Sequence, residues 1–247
     1  MTILAYLLLG LALLGSALTA LPTLVVEWAR RESPEVVFQV DTRAPFVALT
    51  IDDGPSSATP EILEVLREFG VHATFFVVGE HVADHPELTR RLVAEGHELG
   101  HHMMVDAPSI DLSPEAFRRR FREMDRVLDG LGGSRVFRPA SGWYDARMVR
   151  EAASLGYRTV LGSVYPFDAQ LPSPGFASWY VVRRSSPGAI LVLHDGPERG
   201  RRTAQVLRSV LADLRDRGYG VVPVSELVDR AVGSEPDGSG IRRSAGG

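Results

Sequence analysis

The sequence predicts an α/β fold in which a parallel sheet is covered by helices. From Pro45 onward, short apolar runs alternate with amphipathic helical patterns. The apolar runs are nearly continuous, as expected for strands that are buried on both faces of a sheet. A single domain of about 190 residues with this alternation is either an open, doubly wound sheet or a barrel.

Each predicted element follows from its local pattern. Five apolar runs predict strands: Phe46–Ile51, Ala73–Val78, Arg158–Val164, Ala189–His194 and Gly220–Val224. Five amphipathic stretches predict helices: Pro60–Phe69, Pro86–Glu95, Pro114–Leu131, Ala146–Leu155 and Thr203–Arg217. Thr59 stands at the N-cap position of the first helix, and Gly70 follows its last residue, where a left-handed C-cap is common.

The N-terminal segment predicts a membrane-inserted helix. Ile3–Val26 contains no charged residue, and its 24 residues exceed the roughly 20 that cross a bilayer. Residues 1–26 are therefore interpreted as a signal peptide or a membrane anchor. Arg30 and Arg31 follow the segment, and by the positive-inside rule they would place the rest of the chain in the cytoplasm.

The remaining chain divides by composition into three parts. Residues 27–44 read as a linker, residues 45–232 as one domain, and residues 233–247 as a polar, glycine-rich tail that we predict to be disordered. The net charge of −4 argues against nucleic-acid binding. The chain has no cysteine, which excludes disulfides, thiolate zinc sites and a cysteine nucleophile.

Charged side chains follow several of the predicted strands. Asp52 and Asp53 end the first strand, His194 and Asp195 end the fourth, and Asp168 follows the third. Chemistry in parallel α/β folds gathers at the carboxyl ends of strands. We therefore expect these side chains to share one site, although an Asp-Asp-Gly-Pro sequence is also ordinary turn chemistry.

Other polar residues have two possible interpretations. His102 and Asp106 are four apart, so on a helix both could face one metal ion, or they could line a polar loop. Arg138 could pair with a buried carboxylate or form a surface ion pair. Trp143 and Tyr144 could stack on a sugar ring or simply pack. His81 and His85 lie beside a helix start and are predicted to be at the surface.

Taken in order, these motifs resemble the polysaccharide deacetylase family, also known as the NodB homology domain or carbohydrate esterase family 4. The resemblance extends from about Phe46 to Val232. Thr50 to Pro55, "TIDDGP", is similar to the family's usual Thr-Phe-Asp-Asp-Gly-Pro. The stretch "HATFFVVGEHVADHPELTRRLVAEGHELGHH", the loop "RPASG" that begins at Arg138 and the closing "LVLHD" match in order.

The resemblance implies a distorted (β/α) barrel with fewer than eight regular strands, preceded here by the N-terminal hydrophobic helix. It also implies a divalent metal at the carboxyl mouth of the barrel. By this resemblance Asp52 is the general base and Asp53 is a metal ligand. His194 is the general acid, Asp168 keeps that histidine charged, and Arg138 orients Asp52.

The implied reaction is removal of acetyl groups from N-acetylated amino sugars of a polysaccharide or oligosaccharide. A backbone N–H near Ser141 would stabilise the oxyanion, and Leu191 would line the pocket for the acetyl methyl. Trp143 and Tyr144 are expected substrate contacts. The substrate would place the domain outside the cytoplasm, membrane-anchored or secreted, despite the two arginines. We expect a monomer that does not bind nucleic acid.

Two residues depart from the family pattern. Asp106 stands where the family has a second histidine, so the implied ligand set is Asp53, His102 and Asp106. Zinc remains the first expected metal ion, but a site with two carboxylates could also bind Mn, Mg, Fe or Co. His101 could instead rotate in as a ligand. Ala169 replaces the family's tryptophan after Asp168.

These departures leave two alternatives to the deacetylase interpretation. One is a hydrolase of O-acetyl esters or of other non-peptide C–N bonds. The other is a catalytically inactive, membrane-tethered carbohydrate-binding domain, which the replaced metal ligand favours. The joint presence of the base, acid and orienting residues argues against the inactive alternative, because binding a sugar requires no proton transfer.

Overall fold

The computed structural model describes residues 21–232, which form a curled parallel sheet surrounded by helices. Seven strands pair in the order β5-β4-β3-β2-β1-β6, and β7 also pairs with β1. The strands are β1 Phe46–Gly54, β2 Thr74–Val77, β3 Glu98–His101, β4 Val136–Phe137, β5 Arg158–Thr159, β6 Ile190–His194 and β7 Gly220–Val222. All named strand pairs are parallel.

The helices lie between the strands and at both ends of the described chain. Helix α1 covers residues 21–32. It is followed by α2 Thr59–Phe69, α3 Gly79–Asp84, α4 Pro86–Ala94, α5 Pro114–Asp129, α6 Ala146–Ser154, α7 Pro174–Arg184, α8 Arg199–Asp216 and α9 Val224–Val232.

Irregular backbone joins the two edges of the curled sheet. Val37 bridges to Val160, which directly follows β5, and Gln39 bridges to Ala189, which directly precedes β6. Pairing the edges in this way satisfies backbone groups that an open sheet would expose. The predicted distorted barrel with fewer than eight regular strands is confirmed. Residues 36–40, which we predicted to be part of a linker, therefore belong to the barrel.

The central strands are mostly apolar because they separate two cores. Val47, Leu49 and Ile51 of β1 pack between the sheet and the outer helices. Ala48, on the opposite face of the same strand, packs inside the barrel with Phe76 and its neighbours. This arrangement explains why the strand runs lack polar alternation.

Several elements differ from the predicted ones, for physical reasons. β3 and β4 were not predicted, because β3 carries Glu98 and His101 and β4 has only two residues. The predicted strand Arg158–Val164 is regular only at Arg158–Thr159. Helices α3, α7 and α9 were also missed; α3 has only six residues, and α7 is only weakly amphipathic.

Helix α2 begins one residue earlier than predicted and ends as expected. Its N-cap is Ala58, so Thr59 is the first helical residue rather than the cap. The Thr59 hydroxyl accepts from Ser56 N at 2.7 Å and donates to Asp195. Gly70 adopts φ 64° at the C-cap, the left-handed conformation that glycine tolerates best.

Glu98 joins four segments at the end of the barrel opposite the site. Its carboxylate accepts from Ser134 Oγ at 2.7 Å, from Ser225 N at 3.3 Å and from the hydroxyls of Thr74 and Ser225. Thr74 Oγ1 in turn accepts from Val224 N at 2.8 Å, at the start of α9. One side chain thus connects β2, β3, the turn before β4 and α9.

We expect Glu98→Ala to lower the free energy of unfolding by about 2 kcal/mol, because several hydrogen-bond donors lose a charged acceptor. Urea unfolding followed by circular dichroism would measure the change. Glu87→Ala is the matched control, since Glu87 forms an exposed pair with Arg90 and its loss should leave stability unchanged. Equal stability of the two variants would contradict a joining role for Glu98.

Some predictions fall wholly or partly outside the described residues. These are the membrane segment, of which residues 1–20 are not described, and the predicted disordered tail at residues 233–247. Within residues 21–232, no helix has the length and apolar character needed to cross a membrane. The described part of α1 exposes four large apolar side chains, those of Leu21, Leu24, Val25 and Trp28.

Candidate active site

Asp52 lies at the carboxyl end of β1, buried and paired with a buried arginine. Arg138 Nη1 donates to Asp52 Oδ1 at 2.6 Å and to Thr50 Oγ1 at 2.7 Å. Arg138 Nε donates to Val160 O at 3.2 Å, and Nη2 donates to the carbonyl of Leu161. Since backbone and side-chain acceptors hold the whole guanidinium, the pair has one fixed geometry. These contacts are those expected of a residue that orients Asp52.

A local turn brings the second carboxylate to the same mouth. Asp53 has φ 66°, and the β1–β2 register shifts between Asp52 and Gly54. Neighbours in a regular strand point to opposite faces, whereas a bulge re-aims the side chain. His81 Nδ1 donates to Asp53 O at 2.7 Å and supports the turn. His81, which we predicted to be at the surface, is thus half-buried and supports the site.

His102 follows β3 and lies beside Asp53. Its Nε2 is 3.2 Å from Asp53 Oδ1, and its Nδ1 donates to Arg138 O at 2.8 Å. Burial opposes a charge on this ring, but the contact with Asp53 and the charges of the two aspartates outweigh burial and raise the pKa of His102. The ring is thus fixed with Nε2 directed at a carboxylate.

Asp53 and His102 fit two ligands of a divalent cation. Ligand atoms lie about 2.0–2.2 Å from a bound zinc, so two donors in contact can share one ion. A hydrogen bond from the other ring nitrogen to a carbonyl is the usual support of a metal-bound histidine. Within residues 21–232, however, no three histidine, aspartate or glutamate side chains are grouped to hold one ion. Among the described residues, Asp53 and His102 are thus the two that would hold such an ion.

The structure does not bring the predicted third ligand to this pair. The helical spacing that would place Asp106 beside His102 is absent, since the chain after His102 forms a loop in which Met103 has φ 71°. Asp106 is exposed on that loop. The two residues therefore do not share one face of a helix, and the structure does not support the assignment of Asp106 as a metal ligand.

His101 is an unsuitable substitute ligand. It is fully buried, with Nε2 donating to Phe121 O at 3.0 Å and Nδ1 accepting from Met103 N at 3.2 Å. Its ring stacks on Phe121 at 4.0 Å between centroids. Burial lowers the pKa of His101 to about 4. Both ring nitrogens are engaged, so the alternative that His101 binds the metal is contradicted.

His194 and Asp168 form the second charged pair of the site. His194 is the register partner of Asp52 across β1 and β6. Its Nδ1 lies 3.0 Å from Asp168 Oδ1, and its backbone N donates to Asp168 Oδ2 at 2.9 Å. Burial opposes the charged ring, but the hydrogen bond to Asp168 and the nearby aspartates outweigh burial and raise the pKa of His194 to about 9. The contact with Asp168 thus favours the charged form of His194.

Asp195 ties the backbone together behind these pairs. It is fully buried, and its N donates to Asp52 O at 2.8 Å. Its Oδ1 accepts from Ser56 Oγ at 2.7 Å and from Gly196 N at 2.6 Å, while Oδ2 accepts from Thr59 Oγ1 at 2.5 Å. With both oxygens engaged, Asp195 holds the strand ends in place rather than facing a reacting atom.

The residues predicted to bind substrate have different environments. Ser141, with φ 66°, and Trp143, which is 67% exposed, lie on the loop after β4, where a sugar could reach them. Tyr144 instead donates from its hydroxyl to Ser33 Oγ at 3.0 Å, and its ring lies 6.5 Å from that of Phe38. Tyr144 therefore packs against the N-terminal segment, the second of the two interpretations that its sequence allowed.

Leu191 does not line the site. It is fully buried between the sheet and the outer helices, in register with Leu49. Side chains alternate along a strand, so Val192 rather than Leu191 shares the face of His194. The prediction that Leu191 lines the acetyl pocket is wrong.

Two site residues had no sequence signal. Arg199, the first residue of α8, places Nη2 3.1 Å from Asp53 Oδ2. Burial raises the pKa of Asp53, but the contact with His102 and the charges of His194 and Arg199 outweigh burial and hold that pKa at about 2. Burial raises the pKa of Tyr165 to about 12, and the charges of Arg138 and Asp52 also act on this pKa.

Comparison with known proteins agrees with this geometry. The polysaccharide deacetylase family profile matches residues 39–160. A peptidoglycan-N-acetylglucosamine deacetylase of Bacillus cereus is 32% identical over 197 residues, covering 78% of this chain and 92% of that protein. The chain belongs to the polysaccharide deacetylase family. A chitooligosaccharide deacetylase of Rhizobium leguminosarum is 34% identical over 212 residues, covering 79% of this chain and 90% of that protein.

Family membership does not by itself establish activity. One solved structure with the same fold is a CE4 family pseudoenzyme from Bacillus anthracis, with a TM-score of 0.73 and 26% identity. The match covers 78% of this chain and 69% of that one. Whether this member of the family is active therefore has to be argued from its own site residues.

Proposed function

We propose that the protein is a metal-dependent deacetylase of N-acetylated glycans. The single observation that carries the proposal is the register of Asp52 and His194 on adjacent strands, each held by its own buried partner. A candidate base and a candidate acid thus lie side by side at one mouth. That combination is what hydrolysis of an amide requires.

In this mechanism Asp52, oriented by Arg138, takes the proton from the attacking water. His194, kept charged by Asp168, gives its proton to the leaving amine. A divalent cation held by Asp53 and His102 would polarise the acetyl carbonyl and acidify the water. The guanidinium of Arg138, 2.6 Å from Asp52 Oδ1, offsets the repulsion between the adjacent carboxylates of Asp52 and Asp53.

The closing test is acetate release from N-acetylglucosamine oligomers and from peptidoglycan fragments. We expect release that is abolished by a chelator and restored by Zn²⁺ or another divalent ion. O-acetylated sugars assayed in parallel would identify the ester hydrolase alternative. Absence of release from every substrate, with metal bound, would contradict the proposal.

A second candidate is an inactive glycan-binding domain. The exposed position of Asp106 favours it, as only two metal donors are in place among the described residues. Binding of the same oligomers without acetate release would identify this function. The base and acid pairs favour the enzyme, because a binding domain has no use for either.

Asp106 provides a direct prediction about the metal site. Because Asp106 is exposed and apart from the pair, we expect Asp106→Ala to change Zn²⁺ affinity by less than about threefold, whereas His102→Ala should weaken it by at least about 100-fold. Competition with a chromophoric chelator measures both. Loss of metal in Asp106→Ala would mean that the loop after His102 moves to bring its carboxylate to the ion.

We also propose that the protein is held at a membrane, with the domain outside the cytoplasm. The uncharged run Ile3–Val26 and the exposed Leu24 and Trp28 of α1 support this proposal. Cell fractionation with protease protection would test it. A domain sheltered from protease in intact spheroplasts would contradict it.

A further inference from the structure

Arg199 occupies the side of the candidate metal ligand that faces away from His102. Asp53 Oδ1 contacts His102 Nε2 at 3.2 Å, and Oδ2 contacts Arg199 Nη2 at 3.1 Å. The Asp53 side chain is only 9% exposed, so few other partners can reach it. Both oxygens of the Asp53 carboxylate thus have a partner within the protein.

The position of Arg199 is not explained by the stability of its helix. It is the first residue of α8, where the helix dipole disfavours a positive charge. The first turn of α8 has no acidic residue, and the side chain of the N-cap residue, Glu198, makes no capping hydrogen bond. The ion pair with Asp53 is therefore what holds this guanidinium.

The backbone is shaped to let the guanidinium approach. A Cβ added at Gly196 would lie 3.2 Å from Arg199 Nε and 3.4 Å from Nη2. Gly196 also has φ 125°, a conformation that other residues rarely adopt. The side chain of Arg199 thus lies against a residue that leaves room for it, directly after His194 and Asp195.

We propose that Arg199 competes with the divalent cation for Asp53 and lowers the metal affinity of the site. This inference rests on the proposed function, which assigns Asp53 and His102 to the metal. A cation bound at Asp53 would compete with the guanidinium for Oδ2. The two positive charges would also repel each other at close range. Repulsion between the cation and the guanidinium is relieved when Arg199 leaves the carboxylate, and its side chain, 32% exposed, has solvent to move into.

The test is Zn²⁺ and Mn²⁺ affinity of the full chain, measured by competition with a chromophoric chelator. We expect Arg199→Ala and Arg199→Gln to bind either ion about tenfold more tightly, the scale of one lost charged contact. Arg201→Ala is the matched control: it lies on the same helix but pairs with the exposed Glu61, and its affinity should equal that of the wild type. Thermal unfolding would confirm that each variant is folded.

The double variant Arg199→Ala/His102→Ala separates this inference from the proposed function. If metal binding depends on His102 but both Arg199 variants bind no more tightly than the wild type, the competition is refuted and the metal site stands. If binding does not depend on His102 in any variant, both proposals fail. Tighter binding in Arg199→Ala that is lost in the double variant supports both.

Discussion

Replacing Asp52 with asparagine should lower kcat for acetate release by about 10³-fold, the scale of a general base. Asparagine keeps an oxygen within reach of Arg138 but cannot take a proton from water. Because Asp53 and His102 are unchanged, metal content should stay at the wild-type level. Acetate release, elemental analysis and thermal unfolding would be measured on the same preparations.

A matched variant tests whether removing any carboxylate, rather than that of Asp52, lowers kcat. Asp129→Asn removes a carboxylate from an exposed pair with Arg135 at the end of α5. It should retain wild-type kcat. If Asp52→Asn kept more than about a tenth of the wild-type rate, a loss far below the range for general-base catalysis, Asp52 could not be the base.

Loss of Asp168 should shift the pH dependence of the reaction. The acid His194 must be protonated, so activity should fall with an alkaline limb no higher than about pH 9. Asp168→Asn removes the main partner that raises the pKa of His194, and this limb should then move down by at least about one pH unit. The pH profile of kcat/KM for the two proteins would measure the shift.

The same pair predicts a pH dependence of stability. The pKa of His194 rises from 6.5 to about 9 on folding, so its contribution is complete below pH 6.5 and is lost as pH rises through 9. The melting temperature of the wild type should therefore fall relative to that of Asp168→Asn between pH 6 and pH 10. If Asp168→Asn changed neither the alkaline limb of the pH profile nor the pH dependence of the melting temperature, Asp168 would not be the residue that keeps His194 charged.

The sequence was sufficient to predict the fold class, because apolar runs that alternate with amphipathic helical stretches are typical of a covered parallel sheet. Apolar runs such as Phe46–Ile51 must be covered on both faces, and charged residues directly after them must collect at one mouth. The resemblance located Asp52, Asp53, His102 and His194, and the structure brings these four together. These residues were predictable because each lies at a strand end.

Only the tertiary structure determined the positions and contacts of residues that no periodic pattern in the sequence could place. Asp106 satisfied a spacing rule, but the rule holds only on a helix and the chain there is a loop. Leu191 lay in the right motif, yet the alternation of β6 turns it into the core. His81 and Arg199 reach Asp53 from α3 and α8, and long-range contacts of this kind leave no trace in local sequence.

The sequence by itself thus determined the family, the parallel sheet and the placement of Asp52, Asp53 and His194 at strand ends, because these depend on residue type at the ends of buried strands. Only the tertiary structure decided how the barrel closes through residues 36–40, which donors lie beside Asp53, and that a guanidinium faces one of its oxygens. Those features depend on the packing of segments far apart in the chain, and no local pattern specifies it.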